Sequence, residues 1–382
     1  MTSNIRVAAG ELLVVGLSGA ELTGLERAWL RLVRPAGVIL FKRNILEVGQ
    51  TRGLLREAAG LCAENPLRCV DVEGGTVDRL RDALAPMPSA QAVGRGMRTP
   101  THRDRAAMNG AQGDFRKPVA ELHGELVGRG VRAFGFNTTL APVLDLGLAE
   151  SSGVMGTRAA AETAEGVVEY GRGFLAGLKA QGVAGCGKHF PGLGGGTLDS
   201  HLETPSIGRT MGEMNREDLV PFRELRDELP MVMVNHAAYP LTPAGVWPAS
   251  VSKYWITTVL RKRIGYRGLI FSDDLEMGGI LKFMPIEDAV VEAVRAGMNL
   301  MEVCHSPELI LRAYEGLISE AERSAVFRKT LLERARECSL KRKRLFAGRE
   351  SRTLSAGQFA ALRKRILDFG ELVALAEEAR PA

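Results

Sequence analysis

The chain has 382 residues, 45% of them hydrophobic, which is typical of a globular protein with a full core and excludes a largely disordered one. Its 50 basic and 45 acidic residues give a formal charge of +5, too small an excess to indicate nucleic acid or a membrane surface as a partner. Five cysteines without CxxC spacing, no long apolar run and no secretory leader pattern predict a cytoplasmic protein with buried free thiols.

Eight short apolar runs with the composition of buried strands recur along the chain, and stretches with helical patterns separate them. The runs cover residues 12–17, 37–41, 68–72, 140–146, 183–187, 231–234, 268–271 and 299–303. This alternation indicates right-handed βαβ units around a parallel sheet, and eight such units close a barrel. We therefore predict an α/β chain that folds as a (β/α)8 TIM-type barrel. An open doubly wound sheet is the alternative, although no GxGxxG follows the first run.

After the last run the pattern is helical, over residues 307–346 and again over 354–379, with no second series of strands. We predict a catalytic barrel with covering helices over residues 1–348 and a helical C-terminal extension over 349–382. The most basic run, residues 341–344, lies in this region. It is predicted to form a solvated helix face and not a polyanion site.

Polar residues follow seven of the eight runs. Asp71 follows the third, Asp145 the fourth, Lys188 and His189 the fifth, and Asp273 the seventh. In a (β/α)8 barrel the active site is formed by the loops at the C-terminal ends of the strands. The sequence therefore predicts that these side chains share one site.

The segment 188–201 combines a lysine, two histidines and a carboxylate with four glycines between positions 192 and 196. We predict a mobile loop that closes over a bound ligand. Asp199 and His201 are two residues apart, so in an extended backbone their side chains lie on the same side and the carboxylate can hold the imidazole as a proton donor. A glycine-rich surface turn with an incidental Asp and His is the alternative.

Asp273 stands at the rim of the predicted core and is followed directly by Asp274, which is predicted to cap the next helix. An ionised carboxylate facing an oxocarbenium-like centre, together with a proton donor, is the minimum set for hydrolysing a glycoside by double displacement. The donor is usually a second carboxylic acid. Here the pair Asp199 and His201 could take its place.

Neither a metal nor another cofactor is predicted. Metallohydrolase barrels use closely spaced ligands, whereas a long glycine loop separates His189 from His201. We interpret Arg79, Arg158 and Lys188 as hydrogen-bond donors to hydroxyl oxygens or to an acidic aglycone. For each arginine a surface ion pair is the alternative.

Together these residues resemble glycoside hydrolase family 3, and within it the bacterial β-N-acetylhexosaminidases of peptidoglycan recycling. The resemblance covers about residue 12 to about residue 345. Its strings are Gly-Val-Ile-Leu-Phe-Lys-Arg-Asn at 37–44, Asp-Val-Glu-Gly-Gly-Thr-Val-Asp-Arg at 71–79, Ala-Pro-Val-Leu-Asp at 141–145, Gly-Thr-Arg at 156–158, Lys-His-Phe-Pro-Gly at 188–192, Asp-Ser-His at 199–201 and Phe-Ser-Asp-Asp-Leu at 271–275.

The resemblance implies that Asp273 is the nucleophile, that His201 donates the proton and that Asp199 orients this histidine. It implies a substrate with a terminal N-acetylglucosamine, in a glycan or a muropeptide, and no nucleic acid, membrane or obligatory protein partner. The residues that it implies as ligands of the sugar hydroxyls are Asp71, Arg79, Arg158, Lys188 and His189.

The chain departs from the usual family residues at Val72, Leu193, Gly195 and Gly196, none of which is assigned to chemistry. Three other functions remain open at this point. A relative of the same fold can pass the glycosyl group to phosphate, and a β-glucosidase would lack the preference for an acetamido group. A sugar-binding protein without catalysis would not need both Asp273 and the Asp199–His201 pair.

Overall fold

A computed structural model describes residues 2–97, 118–195, 205–348 and 353–378 of the chain. Eight parallel strands close into a barrel in the order β1-β10-β9-β8-β7-β6-β3-β2, and a short antiparallel hairpin, β4 and β5, follows β3. The prediction of a TIM-type barrel is confirmed. The strands are β1 (Leu13–Gly16), β2 (Gly37–Leu40), β3 (Leu67–Val70), β4 (Val72–Gly74), β5 (Val77–Asp78), β6 (Thr138–Thr139), β7 (Ala184–Phe190), β8 (Met231–Val234), β9 (Leu269–Asp274) and β10 (Leu300–Val303).

Helices surround the barrel. In the described part of the chain they are α1 (Thr2–Gly10), α2 (Gly24–Val33), α3 (Val48–Ala59), α4 (Ala90–Gly96), α5 (Val119–Ala133), α6 (Ser152–Met155), α7 (Ala164–Ala180), α8 (Met211–Arg216), α9 (Val220–Glu224), α10 (Gly278–Leu281), α11 (Ile286–Ala296), α12 (Pro307–Arg323), α13 (Ala325–Phe346) and α14 (Ala356–Glu378), with a π-helix over Tyr254–Arg263. No helix in these residues combines the length and the apolar character that crossing a membrane requires.

Most of the barrel strands are apolar and buried along their length, because the barrel interior covers one face and the helices cover the other. The five cysteines are buried and free, as predicted. The predicted strand over residues 140–146 is wrong, since β6 consists only of Thr138–Thr139. Pro142 lies in the predicted run and has no N–H to donate to a strand ladder.

The hairpin formed by β4 and β5 turns the chain back immediately after β3, so that the segment from Asp71 to Arg79 stays at the C-terminal end of the barrel. Its turn requires glycine at position 74, where φ is +94°. A Cβ atom there would lie 2.0 Å from the carbonyl oxygen of Pro88. Glycine therefore allows the hairpin to pack against the barrel rim.

The basic run at residues 341–344 forms a solvated face only in part, since Lys343 and Arg344 are exposed. Arg342 of α13 is fully buried, donates to the carbonyl oxygen of Ala36 (2.7 Å) and pairs with Glu11. Lys341 donates to the carbonyl oxygen of Gly268 at 2.9 Å. The prediction is wrong for these two cations because they satisfy backbone carbonyls at the ends of loops, which a charge pattern cannot show.

Candidate active site

A cavity of about 360 Å³ opens at the C-terminal ends of the barrel strands. Six of the predicted site residues line it, and they come from five different strands or the loops that follow them. These are Asp71, Arg79, Arg158, Lys188, His189 and Asp273. Asp199 and His201 lie outside the described residues.

Lys188 is the centre of a buried charge network. Its ammonium group lies 2.9 Å from Asp71 Oδ1 and 2.6 Å from Glu73 Oε1. Burial lowers the pKa of Lys188, but the two carboxylates outweigh burial and hold that pKa above its ordinary value. Lys188 is therefore a permanent cation in the wall of the cavity.

Arg158 also binds the Glu73 carboxylate. Its Nε and Nη2 atoms each donate to an oxygen of Glu73 at 2.8 Å, in the bidentate geometry that fixes both groups. Burial disfavours the Glu73 carboxylate, yet Lys188 and Arg158 together hold its pKa well below the ordinary range. Glu73 thus orients two cations at once, and both of them line the cavity.

Asp145 holds His189 in one orientation. Its Oδ2 atom lies 2.6 Å from His189 Nδ1 and also accepts the His189 backbone N–H at 3.0 Å. Its Oδ1 atom accepts the backbone N–H of Leu193 at 2.7 Å. With Nδ1–H donated to Asp145, the Nε2 atom of His189 is left 3.3 Å from Arg158 Nη2, at the cavity wall.

Lys188 and His189 are consecutive, yet both line the cavity. In a regular strand, adjacent side chains point to opposite faces. Here the pairing of β7 with β8 is irregular between Gly187 and Phe190, and such an irregularity re-aims side chains at strand ends. The local distortion of β7 thus delivers two polar groups to one site.

Asp273 is the penultimate residue of β9 and lines the same cavity as this network. Burial raises its pKa, but His189, His236, Lys188 and the backbone N–H of Asp274 outweigh burial and hold that pKa below its ordinary value. The group is therefore a carboxylate over the whole neutral and mildly acidic range. An ionised carboxylate in an enclosed polar cavity is suited to act as a nucleophile or to stabilise a developing cation.

Asp274 does not cap the next helix, so that prediction is wrong. Helix α10 begins after Met277, which occupies the N-cap position. The Asp274 carboxylate instead accepts the backbone N–H of Glu276 at 3.0 Å, in a turn, and lies 3.4 Å from His305 Nε2. Asp274 thus shapes the rim of the cavity next to Asp273.

Arg79 lines the cavity with unused hydrogen-bonding capacity. Its backbone N–H donates to the carbonyl oxygen of Asp71 at 3.0 Å, which fixes the main chain. Its buried Nε atom has no hydrogen-bond partner among the described residues. The role of Arg79 in binding the sugar stays a prediction.

Glu73 and Glu302 were not predicted as site residues from the sequence, and Asp145 was placed in the shared site without a role. A signal existed for Glu73, because it follows Asp71 by two positions and so lies on the same side of an extended segment. Asp145 carried the same strand-end signal as Asp273. For Glu302 the signal was an acidic residue in the otherwise apolar strand β10, which could have marked it as a functional group.

Comparison with known proteins decides the family. The model of the glycosyl hydrolase family 3 N terminal domain matches residues 5–336. The chain belongs to glycoside hydrolase family 3. The predicted family, and with it the predicted class of enzyme, a glycosidase, are confirmed.

Similar proteins agree with this assignment. The family 3 chain is 37% identical over 316 residues to a protein named beta-hexosaminidase from Thioalkalivibrio sulfidiphilus, covering 82% of this chain and 86% of the relative. A family 3 β-N-acetylglucosaminidase from Paenibacillus sp. is 29% identical, with a TM-score of 0.81, covering 96% of this chain and 68% of that one. NagZ from Neisseria gonorrhoeae, solved in complex with N-trifluoroacetyl-D-glucosamine, is 26% identical, with a TM-score of 0.73 and coverages of 95% and 98%.

Proposed function

We propose that this family 3 enzyme is a retaining exo-β-N-acetylglucosaminidase that removes a non-reducing terminal N-acetylglucosamine from peptidoglycan-derived muropeptides by double displacement. The observation that carries the proposal is the Asp273 carboxylate, ionised and enclosed among buried hydrogen-bond donors. The similarity to proteins named for β-hexosaminidase and β-N-acetylglucosaminidase activity supports the choice of sugar.

In this mechanism Asp273 attacks the anomeric carbon while a proton passes to the glycosidic oxygen, so that the bond to the aglycone breaks and a glycosyl-enzyme ester forms. His201, oriented by Asp199, supplies the proton. The same histidine then takes a proton from water, which attacks the anomeric carbon and releases Asp273. Two inversions at one carbon retain the configuration.

The polar network around Asp273 would position the sugar. The Lys188 ammonium, the Arg158 guanidinium and His189 Nε2 are each held in place by a buried carboxylate of the protein. Groups fixed in this way lose little freedom when they bind hydroxyl oxygens. A cavity of about 360 Å³ is small for a ligand site and suits one terminal sugar, which favours exo action.

The test compares an aryl N-acetyl-β-glucosaminide with the matching β-glucoside, and then a muropeptide that carries a terminal N-acetylglucosamine. The acetamido sugar is expected to be the far better substrate, and NMR should show the β configuration in the first-formed product. Asp273→Ala should lose nearly all activity, because the variant lacks the carboxylate that forms the ester.

Four results would contradict the proposal. An α-configured first product would exclude double displacement, and equal rates on the two aryl glycosides would exclude a hexosaminidase. A rate that depends on inorganic phosphate, with a glycosyl phosphate as product, would identify a phosphorylase. An inactive Asp274→Ala variant beside an active Asp273→Ala variant would move the nucleophile to the neighbouring residue.

A further inference from the structure

Glu302 is a carboxyl group in the cavity that the proposed mechanism does not use. It lies on β10, inside the barrel, and is only 3% exposed. Its side chain lines the cavity together with Asp71 and Asp273. The other residues of β10 are apolar and fully buried, so an acid at this position is costly unless its oxygens form hydrogen bonds.

Among the described residues, one of its two oxygens has a hydrogen-bond partner and the other has none. The Cys304 thiol lies 2.9 Å from Glu302 Oε1. Burial raises the pKa of this thiol well above its usual range, so the thiol keeps its proton and donates it to Oε1. Glu302 Oε2 is without a partner in the described part of the chain. This oxygen is itself buried, but the terminal torsion of a carboxyl group is broad, so the group can rotate toward the cavity when a ligand binds.

Burial and the negative charges around Glu302 both favour its neutral, protonated form. Burial raises the pKa of Glu302 well above its ordinary value, and the carboxylates of Asp274, Asp71 and Asp273 act in the same direction. The nearby thiols of Cys69 and Cys186 are neutral, since burial raises their pKa values as well. A neutral carboxylic acid offers an O–H donor to a ligand.

We propose that Glu302 is a sugar-binding residue, whose carboxylic acid donates a hydrogen bond to one ring hydroxyl of the saccharide in the cavity. The inference rests on the proposed function and adds a specificity determinant to it. Asp71 lines the same cavity as an acceptor. The two groups together can satisfy neighbouring hydroxyls, one as donor and the other as acceptor, and reject a sugar that lacks the correct hydroxyl.

Protonation of the leaving group is a poorer role for Glu302. In an exo enzyme the glycosidic oxygen points toward the cavity mouth, where the remaining glycan extends. Glu302 belongs to the barrel interior and is nearly inaccessible. The two roles differ in one testable respect, because a glutamine amide can donate a hydrogen bond but cannot transfer a proton.

The experiment measures kcat/KM for wild type, Glu302→Leu and Glu302→Gln on a nitrophenyl N-acetyl-β-glucosaminide and on its 3-, 4- and 6-deoxy analogues. Glu302→Leu is expected to be roughly 10- to 100-fold slower on the parent substrate, the effect of losing one buried hydrogen bond to a ligand. On one deoxy analogue this loss should shrink to less than about threefold, because the partner hydroxyl is gone. Glu302→Gln should recover most of the activity that Glu302→Leu loses.

Met301→Leu is the matched control, since Met301 is adjacent on β10 and fully buried but belongs to the opposite face of the strand. It should keep the wild-type profile across the four substrates. An equal loss in Glu302→Leu on all four substrates, or no loss at all, would overturn the inference. Activity in Glu302→Gln as low as in Glu302→Leu would do the same. If wild type itself fails to cleave the parent substrate, the proposed function falls, and this inference with it.

Discussion

At the scale of single residues, the site depends on charges that are buried and mutually compensated. Glu73 is 2% exposed and binds both Lys188 and Arg158. A buried ion network of this kind adds little net stability compared with apolar packing, but removing one partner leaves the others uncompensated. The stability of the fold and the geometry of the cavity therefore depend on the same carboxylate.

We predict that Glu73→Gln lowers the free energy of unfolding at pH 7 by about 3 to 5 kcal/mol, the usual cost of breaking a buried ion pair. The pKa of Glu73 is depressed in the native state, so its contribution is complete above the unfolded pKa of about 4.5 and is lost as the pH falls. The difference between variant and wild type should narrow by about 1.4 kcal/mol for each pH unit below 4.5.

Denaturant unfolding at several pH values measures this effect. Glu333→Gln, at an exposed position of α13, is the control. Its free energy of unfolding should show the same pH dependence as that of wild type. A constant difference between Glu73→Gln and wild type from pH 7 to pH 3.5 would show that Glu73 contributes through packing and not through its charge.

At the scale of elements, the segment that follows β7 leads to the proposed general acid. Its first residues are anchored by the hydrogen bond that the backbone N–H of Leu193 donates to Asp145. At Gly192 φ is +128°, and a Cβ atom there would lie 2.7 Å from the Cβ of Asp218. Glycine is thus required at the point where the chain leaves the barrel. The predicted acid, His201, lies farther along the same segment.

We predict that His201→Ala slows the release of an alkyl or sugar leaving group by about 100-fold or more, which is the range of general acid catalysis. The same variant should slow nitrophenolate release by less than about tenfold, because this anion departs with little help from a proton. Asp199→Ala should show the same trend more weakly. Steady-state kinetics on both substrate classes measures the difference, and equal slowing would make His201 a binding residue.

The strands show which features of the fold and the site a sequence pattern can predict. Apolar runs and strand-end polar residues predicted the barrel and brought Asp71, Lys188 and Asp273 together correctly, because strand ends in a parallel barrel meet at one edge. Glu73 was missed, and Asp145 received no role, because their roles arise from contacts with residues 44 to 115 positions away in the chain. Register irregularities such as that of β7 leave no period in a sequence.

At the scale of the whole molecule, the C-terminal extension packs on the barrel. Helix α14 buries Leu362, Ile366, Phe369 and Val373, whose spacing of four, three and four residues forms one stripe along the helix. The ring of Phe369 lies 5.9 Å from that of His123 on α5. The predicted boundary near residue 348 therefore separates segments that share a hydrophobic core.

We predict that Phe369→Ala lowers the free energy of unfolding by about 3 to 5 kcal/mol, the cost of a large buried side chain, and that unfolding stays a single transition. Leu367 on the same helix is 42% exposed, so Leu367→Ala should cost far less. Calorimetry compares the two variants. A separate low-temperature transition in Phe369→Ala would show that the extension unfolds independently of the barrel.

Closure of the barrel has a consequence for the newly made chain. Strand β1 completes its hydrogen bonds only with β2 on one side and β10 on the other, where Leu13 is paired with Met301, roughly 290 residues later. At translation rates of 5 to 20 residues per second, about 15 to 60 s pass between the emergence of these partners. During that time one edge of β1, with its unpaired N–H and C=O groups, is open to association with other chains. Protection of this edge by a chaperone is therefore most needed before the ribosome has finished β10.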